Sequence, residues 1–345
     1  MDKIKPIKIS PGKLSPDSKI TAVEMGKLWA TYMGNSMSKG ILEYYLQHIG
    51  DEDIKVLLEN GLTLSTEILN RIEGFFKKEK FPIPKGFTEE DYNLNAPRLF
   101  QDEFYAHYLK YAAKAGLSIY AIALPLVMRE DIREFFVFCH DRTTMFLGQI
   151  NNVLMGKGLI IRPPEIPIPE QVEFVTKQNF LNGFFGDIRP LHALEIIHLY
   201  DNIENNATSK ALLLGFSQTA KSERVKDFLI RGKDITDRTL EKMQLTLQHD
   251  NLPSPSLLDH LVTDSKIAPF SDKVYVFHKV DMFCMKIRSF GNAIAVNGRR
   301  DIGLMYSRFL MSIGIYVEDG ANILIDNGWM EQIPKAIDRN HLSKN

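Results

Sequence analysis

The chain contains the same sequence pattern twice, and this repeat constrains the fold more than any other feature. Residues 24–164 reappear as residues 195–334, at an offset of 171 positions that becomes 170 after a one-residue deletion. A solenoid unit has only about 20–50 residues, so a repeat of this length is typical of a duplicated domain. The sequence therefore predicts one fold built twice. Identical residues at matching positions include the pairs Glu24/Glu195, Ser38/Ser209, Lys39/Lys210, Asp102/Asp272, Tyr105/Tyr275, Arg129/Arg299 and Asp131/Asp301.

Length and charge agree with a two-domain protein that carries no strong electrostatic field. A chain of 345 residues suggests about two domains, each able to bury a core of its own. The 42 basic and 43 acidic residues leave a net charge of −1, which gives no general attraction to nucleic acid or to an anionic membrane. We therefore expect no nucleic-acid partner.

The compartment is expected to be the cytoplasm. The two cysteines, Cys139 and Cys284, lie in apolar helical runs at positions that do not match between the repeats, which indicates reduced thiols. The first 19 residues contain no apolar stretch of the kind that a secretory signal needs. No run of about 18 apolar residues is present, so we expect no membrane span.

Helical periodicity predicts four helices in each repeat. In the first repeat, helix A follows an apolar stripe from Leu28 and ends before Gly50, helix B covers about 53–78, helix C about 100–126 and helix D about 129–157. Gly158 and Gly328 are the expected glycines after the ends of the two D helices. We therefore expect an all-α protein.

The connection between helices B and C sets the predicted topology. The stretch from Phe81 to Pro97 is rich in proline and has no helical period. A connection of about 20 residues can cross a helix about 39 Å long, whereas an up-down-up-down bundle needs only a short loop. We therefore expect helix C to run parallel to helix B, as in ferritin-like bundles. The predicted domains are a first bundle with an N-terminal extension (1–161), a proline-rich and aromatic linker (162–187) and a second bundle (188–345).

The aromatic residues of the linker are expected to pack on one or both bundles and so to fix the domain arrangement. These residues are Phe174, Phe180, Phe184 and Phe185.

The di-iron pattern of ferritin-like bundles is incomplete in this chain. That pattern needs a Glu from each of two helices and Glu-x-x-His from each of the other two. The first repeat has no Glu-x-x-His, and the second has one, formed by Glu195 and His198. These two residues are the metal-ligand candidates, with iron or manganese as the metal; otherwise we expect no cofactor.

A structural role for Glu195 and His198 is the favoured interpretation. In the crossover topology His278 lies about 25 Å from Glu195 along the bundle, so the two cannot share one ion. We expect Glu195 and His198 to hydrogen-bond to Arg299 and Arg300 at the same bundle end. We also expect the mid-helix lysines Lys39 and Lys210 to reach solvent. Catalysis by Cys139 and His140 is disfavoured, because adjacent helical residues point about 100° apart.

Several separate motifs resemble a known family. Glu24-Met25-Gly26-Lys27-Leu28-Trp29, the stretch from Gln47 to Ile54, the stretch from Phe81 to Phe87 and Arg129-Glu130-Asp131-Ile132 are similar to the uncharacterised, duplicated ferritin-like proteins of endospore-forming bacteria. That family is related to the spore coat protein F group. The resemblance runs from about Ile20 to Pro334. It implies two four-helix bundles and a link to the spore or its coat, and it implies no known reaction.

The sequence thus favours a non-enzymatic structural or interaction protein that acts through protein partners or self-association and is cytoplasmic or spore-associated. A metal-binding protein or oxidoreductase with a non-standard site in the second bundle is the alternative. A third hypothesis is a carrier that holds a small molecule or lipid between its helices, for which a large enclosed pocket would be the sign.

Overall fold

The computed structural model describes residues 18–339, and this part of the chain contains eight α-helices and no β-strand. The predicted all-α fold with four helices per repeat is therefore confirmed. The predicted N-terminal extension and its lack of a secretory signal concern residues 1–17, which lie outside the described residues. The helices are α1 (Ala22–Leu46), α2 (Glu52–Lys78), α3 (Asp102–Ala123), α4 (Glu130–Gly156), α5 (Ala193–Thr219), α6 (Glu223–His249), α7 (Asp272–Val296) and α8 (Arg300–Asp326). No helix in residues 18–339 combines the length and the apolar character that crossing a bilayer requires.

Helix starts are fixed by side chains that accept hydrogen bonds from free backbone N–H groups. Thr21 and Glu24 form a capping box at the start of α1, in which the Thr21 amide donates to the Glu24 carboxylate at 2.8 Å. Asp51 caps α2 by accepting from the amides of Asp53 and Ile54 at 3.0 and 3.1 Å. Each cap satisfies donors that the helix itself leaves unpaired.

Helix ends use residues with positive φ. Gly158 and Gly328, with φ of 66° and 67°, follow α4 and α8 as predicted. After each of these glycines the next amide returns to the helix, from Leu159 to the carbonyl of Leu154 at 2.9 Å and from Trp329 to that of Leu324 at 2.8 Å.

Contacts between helix ends show how the helices run in the first repeat. Asp102 at the start of α3 accepts hydrogen bonds from the amides of Gly50 and Asp51 at 3.0 and 2.8 Å, so α2 and α3 begin at the same end of the bundle. The Lys78–Asp131 ion pair at 3.4 Å places the end of α2 beside the start of α4. The connection from 79 to 101 therefore returns along the length of the bundle.

The second repeat repeats this arrangement. Asp272 at the start of α7 accepts from the amides of Lys221 and Ser222 at 3.0 and 2.8 Å, which places the starts of α6 and α7 together.

The two long connections pair with each other and join the bundles about a pseudo-twofold axis. Two isolated β-bridges connect them, Tyr92 with Phe270 and Phe100 with Val262. A shift of 170 residues exchanges the two bridges, as in the self-complementary interface of a twofold dimer. The backbone bonds obey the same exchange: Asn93 N–Pro269 O at 2.8 Å matches Thr263 N–Leu99 O at 3.0 Å, and Gln101 N–Leu261 O matches Ser271 N–Asp91 O, both at 2.8 Å.

Aromatic side chains fill the seam between the bundles. Tyr108 and His278 occupy equivalent positions in the two repeats, and Tyr108 Oη lies 3.1 Å from His278 Nε2. Tyr44 packs on Phe270 with ring centroids 5.2 Å apart. At the equivalent place in the other bundle Gly215 leaves room for Phe100, whose ring atom Cζ would lie 2.7 Å from a Cβ at residue 215. Buried residues of both repeats therefore form one continuous core.

The linker differs from the sequence-based prediction. The side chains of Phe174 and Phe185 are 84% and 87% exposed, so the expectation that they pack on the bundles is wrong. Phe180 does pack, since its ring stacks on His192 with centroids 6.2 Å apart and lies under the Arg189 guanidinium. The linker has one short helical turn, Gln178–Leu181, and outside this turn it has no regular helix that would hold the phenylalanine side chains against a bundle.

Candidate functional site

Glu195, the first metal-ligand candidate, is buried and fully engaged with hydrogen-bond donors. Its side chain has no exposed surface. The Arg189 guanidinium donates to both carboxylate oxygens at 2.8 Å. The backbone amides of Gly298, Arg299 and His192 donate at 3.0, 2.9 and 3.1 Å. The carboxylate therefore connects the segment just before α5 to the start of α8.

These donors keep Glu195 ionised. Burial alone would raise the pKa of the carboxyl, but the hydrogen bonds from Arg189 and the His192 amide, together with the charge of Arg189, lower its pKa to about 2. The hydrogen bond expected between Glu195 and Arg299 is present, but Arg299 donates it from its backbone amide. The guanidinium that binds Glu195 belongs to Arg189.

Glu24 has the same role in the first bundle. Its carboxylate accepts hydrogen bonds from the amides of Met128 and Arg129 at 3.3 and 2.9 Å, at the start of α4. Arg129 and Arg299 then bind Asp131 and Asp301 at 2.6 and 2.8 Å. Identical residues of the two repeats thus hold helix ends together.

His198, the second candidate, lies one turn along α5 from Glu195 and is half-buried. His278 is far along the bundle, next to Phe216 near the other end of α5, with ring centroids 5.7 Å apart. Within residues 18–339 no three His, Cys, Asp or Glu side chains converge as a metal centre would require. The Glu195 and His198 metal site stays a prediction.

The other residues considered from sequence have separate environments. Lys39 is exposed and 3.8 Å from Glu43, whereas Lys210 binds Asp237 and Asp259 at 2.8 and 2.7 Å. Cys139 is fully buried, which raises the pKa of its thiol.

Two buried lysines occupy the interior of the second bundle. The Lys279 side chain has no exposed surface, and its Nζ lies 2.9 Å from Ser209 Oγ and 3.1 Å from Met282 Sδ. Lys286, 5% exposed, donates from Nζ to Thr236 Oγ1 at 3.0 Å and lies 3.9 Å from the centroid of the Phe283 ring.

Burial disfavours the protonated form of these two amines. It lowers the pKa of both lysines well below 10.5, and for Lys279 the nearby Lys286 adds to the effect. Neither lysine has an ion-pair partner among the described residues. Amines bonded to hydroxyl groups lie at the centre of this bundle, where a di-metal site would need carboxylates.

Sequence reasoning did not identify these lysines. The signal that could have revealed them is a comparison of the repeats, because Lys279 and Lys286 stand where the first repeat has Leu109 and Gly116. Charged residues are rarely buried without a partner, so lysines at two core positions of one repeat are informative.

The fold and these interior groups define a duplicated helical-bundle protein whose described part contains no converged cluster of metal-ligating side chains. The chain matches the family described as "Protein of unknown function (DUF3231)" twice, over residues 10–172 and 179–342. It therefore belongs to that family.

Two individual proteins are similar to parts of the chain. The uncharacterised protein YvdQ of Bacillus subtilis (strain 168) is 26% identical over 145 residues, which are 41% of this chain and 85% of YvdQ. The crystal structure of a candidate spore coat protein, BH2358 of Bacillus halodurans C-125, matches 44% of this chain and 98% of its own, with 17% identity and a TM-score of 0.38.

Proposed function

We propose that this protein is a non-enzymatic structural or interaction protein that associates with a second copy of itself through the linker 162–187. Its two units, residues 1–161 and 188–345, are ferritin-like bundles. The common direction of the second and third helices in each repeat supports this assignment, because one long crossover produces that arrangement.

The exposed apolar surface of the linker is the observation that carries the proposal. Ile168, Val172, Phe174 and Phe185 are 91%, 83%, 84% and 87% exposed. Isolated apolar residues are normal on a protein surface, but a run of them within one short segment is typical of an interaction site. Large aromatic side chains also contribute most strongly when an interface buries them.

A second copy of the chain suits this surface. It presents the same apolar segment, so a twofold contact would place apolar groups of both copies together. The net charge of −1 provides almost no repulsion between copies.

The polar residues shared by the repeats support a structural role. Glu24, Glu195, Asp102 and Asp272 accept backbone hydrogen bonds at helix starts, and these bonds occupy the carboxylates. The lysines inside the second bundle also disfavour a bound metal cation there.

Sedimentation velocity over a range of protein concentrations tests self-association. We expect the wild-type chain to associate and the double variant Phe174→Ser/Phe185→Ser to sediment as a monomer with unchanged helicity. The matched control is Val56→Ser/Leu245→Ser, which removes apolar residues 51% and 50% exposed from the helices. A monomeric wild type, or an equal effect of the control, would reject the proposed interface.

Spore association is the cellular setting that we propose, supported by the motifs that resemble the spore coat group. A fluorescent fusion expressed in sporulating Bacillus cells should concentrate at the forespore or spore surface. Uniform fluorescence in the mother-cell cytoplasm throughout sporulation would contradict this setting without bearing on self-association.

A further inference from the structure

The interiors of the two bundles can be compared position by position. Gly61 on α2 is flanked by Leu42 and Phe146, and Gly232 on α6 is flanked by Leu213 and Tyr316. These neighbours occupy matching positions in the repeats, since Leu42 corresponds to Leu213 and Phe146 to Tyr316. The same packing layer is therefore present at the centre of each bundle.

In the second bundle this central region holds the two lysine amines. Lys286 Nζ lies 3.0 Å from Thr236 Oγ1, and Lys279 Nζ lies 2.9 Å from Ser209 Oγ. Both hydroxyl oxygens therefore accept a hydrogen bond from an amine, and the aliphatic parts of the lysines lie among apolar side chains.

In the first bundle the corresponding region holds a cavity. Gly116 and Leu109 replace the two lysines, whereas Ser65 and Ser38 retain hydroxyls at the positions of Thr236 and Ser209. A cavity of about 70 Å³ is lined by Gly116, Leu109, Ser65, Ser38 and further residues of all four helices.

The cavity has unpaired hydroxyl groups and apolar walls. Ser65 is 8% exposed and Thr143, also in the lining, 4%. In the part of the chain that the structure describes, no protein group forms a hydrogen bond with the hydroxyl of Ser65, Ser38 or Thr143. These hydroxyls line the cavity without a protein partner, so a polar ligand atom can form hydrogen bonds with them without breaking an existing bond. The apolar lining includes Leu42, Leu64, Ile68 and Phe146.

We propose that the cavity of the first bundle binds a short primary alkyl amine, whose nitrogen donates to Ser65 and Ser38 and whose alkyl chain lies against the apolar walls. The second bundle carries the same group covalently, as the side chain of Lys286. One heavy atom needs about 10–15 Å³ of such a volume, so the cavity accommodates about five. From Cβ to Nζ a lysine side chain has that size, and as a free molecule it is n-butylamine.

The lining favours a neutral amine over an ion. It contains no carboxylate, and its titratable groups are the phenols of Tyr108 and Tyr120. An adjoining cavity of about 90 Å³ shares Asn35, Ser38 and Gly116 with the first and extends to His278 and Asp281 on α7. Because a charged ligand loses its hydration without gaining an ion pair at Ser65, binding should follow the uncharged fraction of the amine and strengthen as the pH rises toward the amine pKa.

Thermal unfolding and isothermal titration calorimetry of the full chain with n-butylamine test this site, with n-butanol as the isosteric control. A ligand that binds only the folded state raises the melting temperature with its concentration. We expect stabilisation by n-butylamine, a much smaller effect of n-butanol, and about tenfold weaker amine binding in Ser65→Ala, which removes one hydrogen bond. The matched control is Thr63→Ala on the same helix, which removes an exposed hydroxyl bonded to the Glu59 carbonyl and should leave binding unchanged.

A second variant blocks the cavity with the group present in the other bundle. Gly116→Lys should abolish n-butylamine binding, and its Cβ would lie 3.2 Å from Tyr120 Cε2, so the ring must shift slightly. If this variant does not fold, Ser65→Ala still decides the question. Equal effects of n-butylamine and n-butanol, no binding of either, or unchanged amine affinity in Ser65→Ala would each overturn the proposal.

Discussion

The two buried lysines of α7 predict that the protein becomes more stable as the pH rises above neutrality. Burial lowers the pKa of Lys279 and Lys286 well below 10.5 in the folded state, so each gives up its proton at a lower pH when the chain is folded. In the unfolded chain both side chains are hydrated and hold a proton up to about pH 10.4. Between the folded and unfolded pKa values, unfolding therefore takes up one proton per lysine.

This proton uptake sets both the sign and the size of the effect. Because the unfolded state binds more protons, the free energy of unfolding increases with pH and decreases as the pH falls toward the folded-state pKa values. Each lysine contributes about 1.4 kcal/mol per pH unit, and the pair contributes about 2.7 kcal/mol per pH unit. Few single features of a domain change its stability by that amount.

Urea unfolding between about pH 7 and pH 8 measures the slope with little interference from other titrating groups. His278 contributes little there, because burial lowers its folded-state pKa to about 3 and the unfolded side chain has also lost its proton above about pH 6.5. Burial raises the pKa of both Cys139 and Cys284, so these thiols lower stability as the pH approaches about 8.5, where the unfolded chain loses their protons, and their effect below about pH 8 is small. The chain has two tryptophans. In a Trp29→Phe background the fluorescence of Trp329, which lies just after α8, reports the unfolding of the second bundle.

Methionine substitutions assign the slope to particular residues. Lys279→Met or Lys286→Met keeps a similar length but cannot bind a proton, so each should reduce the slope by about half. Lys39→Met, at an exposed lysine, is the matched control and should leave the slope unchanged. A wild-type slope near zero, or slopes that neither methionine variant reduces, would refute the prediction that burial lowers the pKa of these amines below the measured pH range.

Three further predictions concern backbone strain, metal content and the seam. Lys80 follows the end of α2 and has a φ of 53°, a backbone conformation that glycine adopts more easily than lysine. Lys80→Gly should therefore stabilise the protein by about 0.5–1 kcal/mol in urea unfolding, and destabilisation would contradict backbone strain at Lys80. Metal analysis of protein purified without a histidine tag should find no stoichiometric iron or manganese, because the donors around Glu195 occupy its oxygens; metal that disappears in Glu195→Gln would restore the alternative function. Gly215→Ala should destabilise the protein by about 1–3 kcal/mol, because its Cβ would lie 2.7 Å from the Phe100 ring. Unchanged thermal stability would show that the Phe100 ring can shift to make room for a methyl group at little cost.

Local patterns were sufficient to predict much of the fold. The apolar spacing located eight helices, and glycines at 158 and 328 marked two helix ends, because helical period and positive φ are properties of short segments. The paired identities also pointed to shared structural roles. Glu24 and Glu195 are identical because each carboxylate receives the backbone amides at the start of its bundle's last helix.

The candidate site was less accessible to sequence reasoning. Glu195 was correctly expected at the bundle end where α8 begins, but Arg189, its principal side-chain donor, was missed because it lies just before α5, outside the periodic segments. Lys279 and Lys286 were missed because a lysine in a helical pattern usually reaches solvent. Only the packing of α7 inside the second bundle reveals that these two do not.

By itself, the sequence determined that one helical fold occurs twice, since duplicated motifs and periodic apolar residues belong to the chain before it folds. Only the tertiary structure decided how the two copies meet, with Tyr108 on His278 and the long connections paired, and which copy encloses amines and which a cavity. The physical reason is that periodicity identifies the face that a helix buries, whereas the identity of the groups that cover that face depends on contacts between residues far apart in the chain.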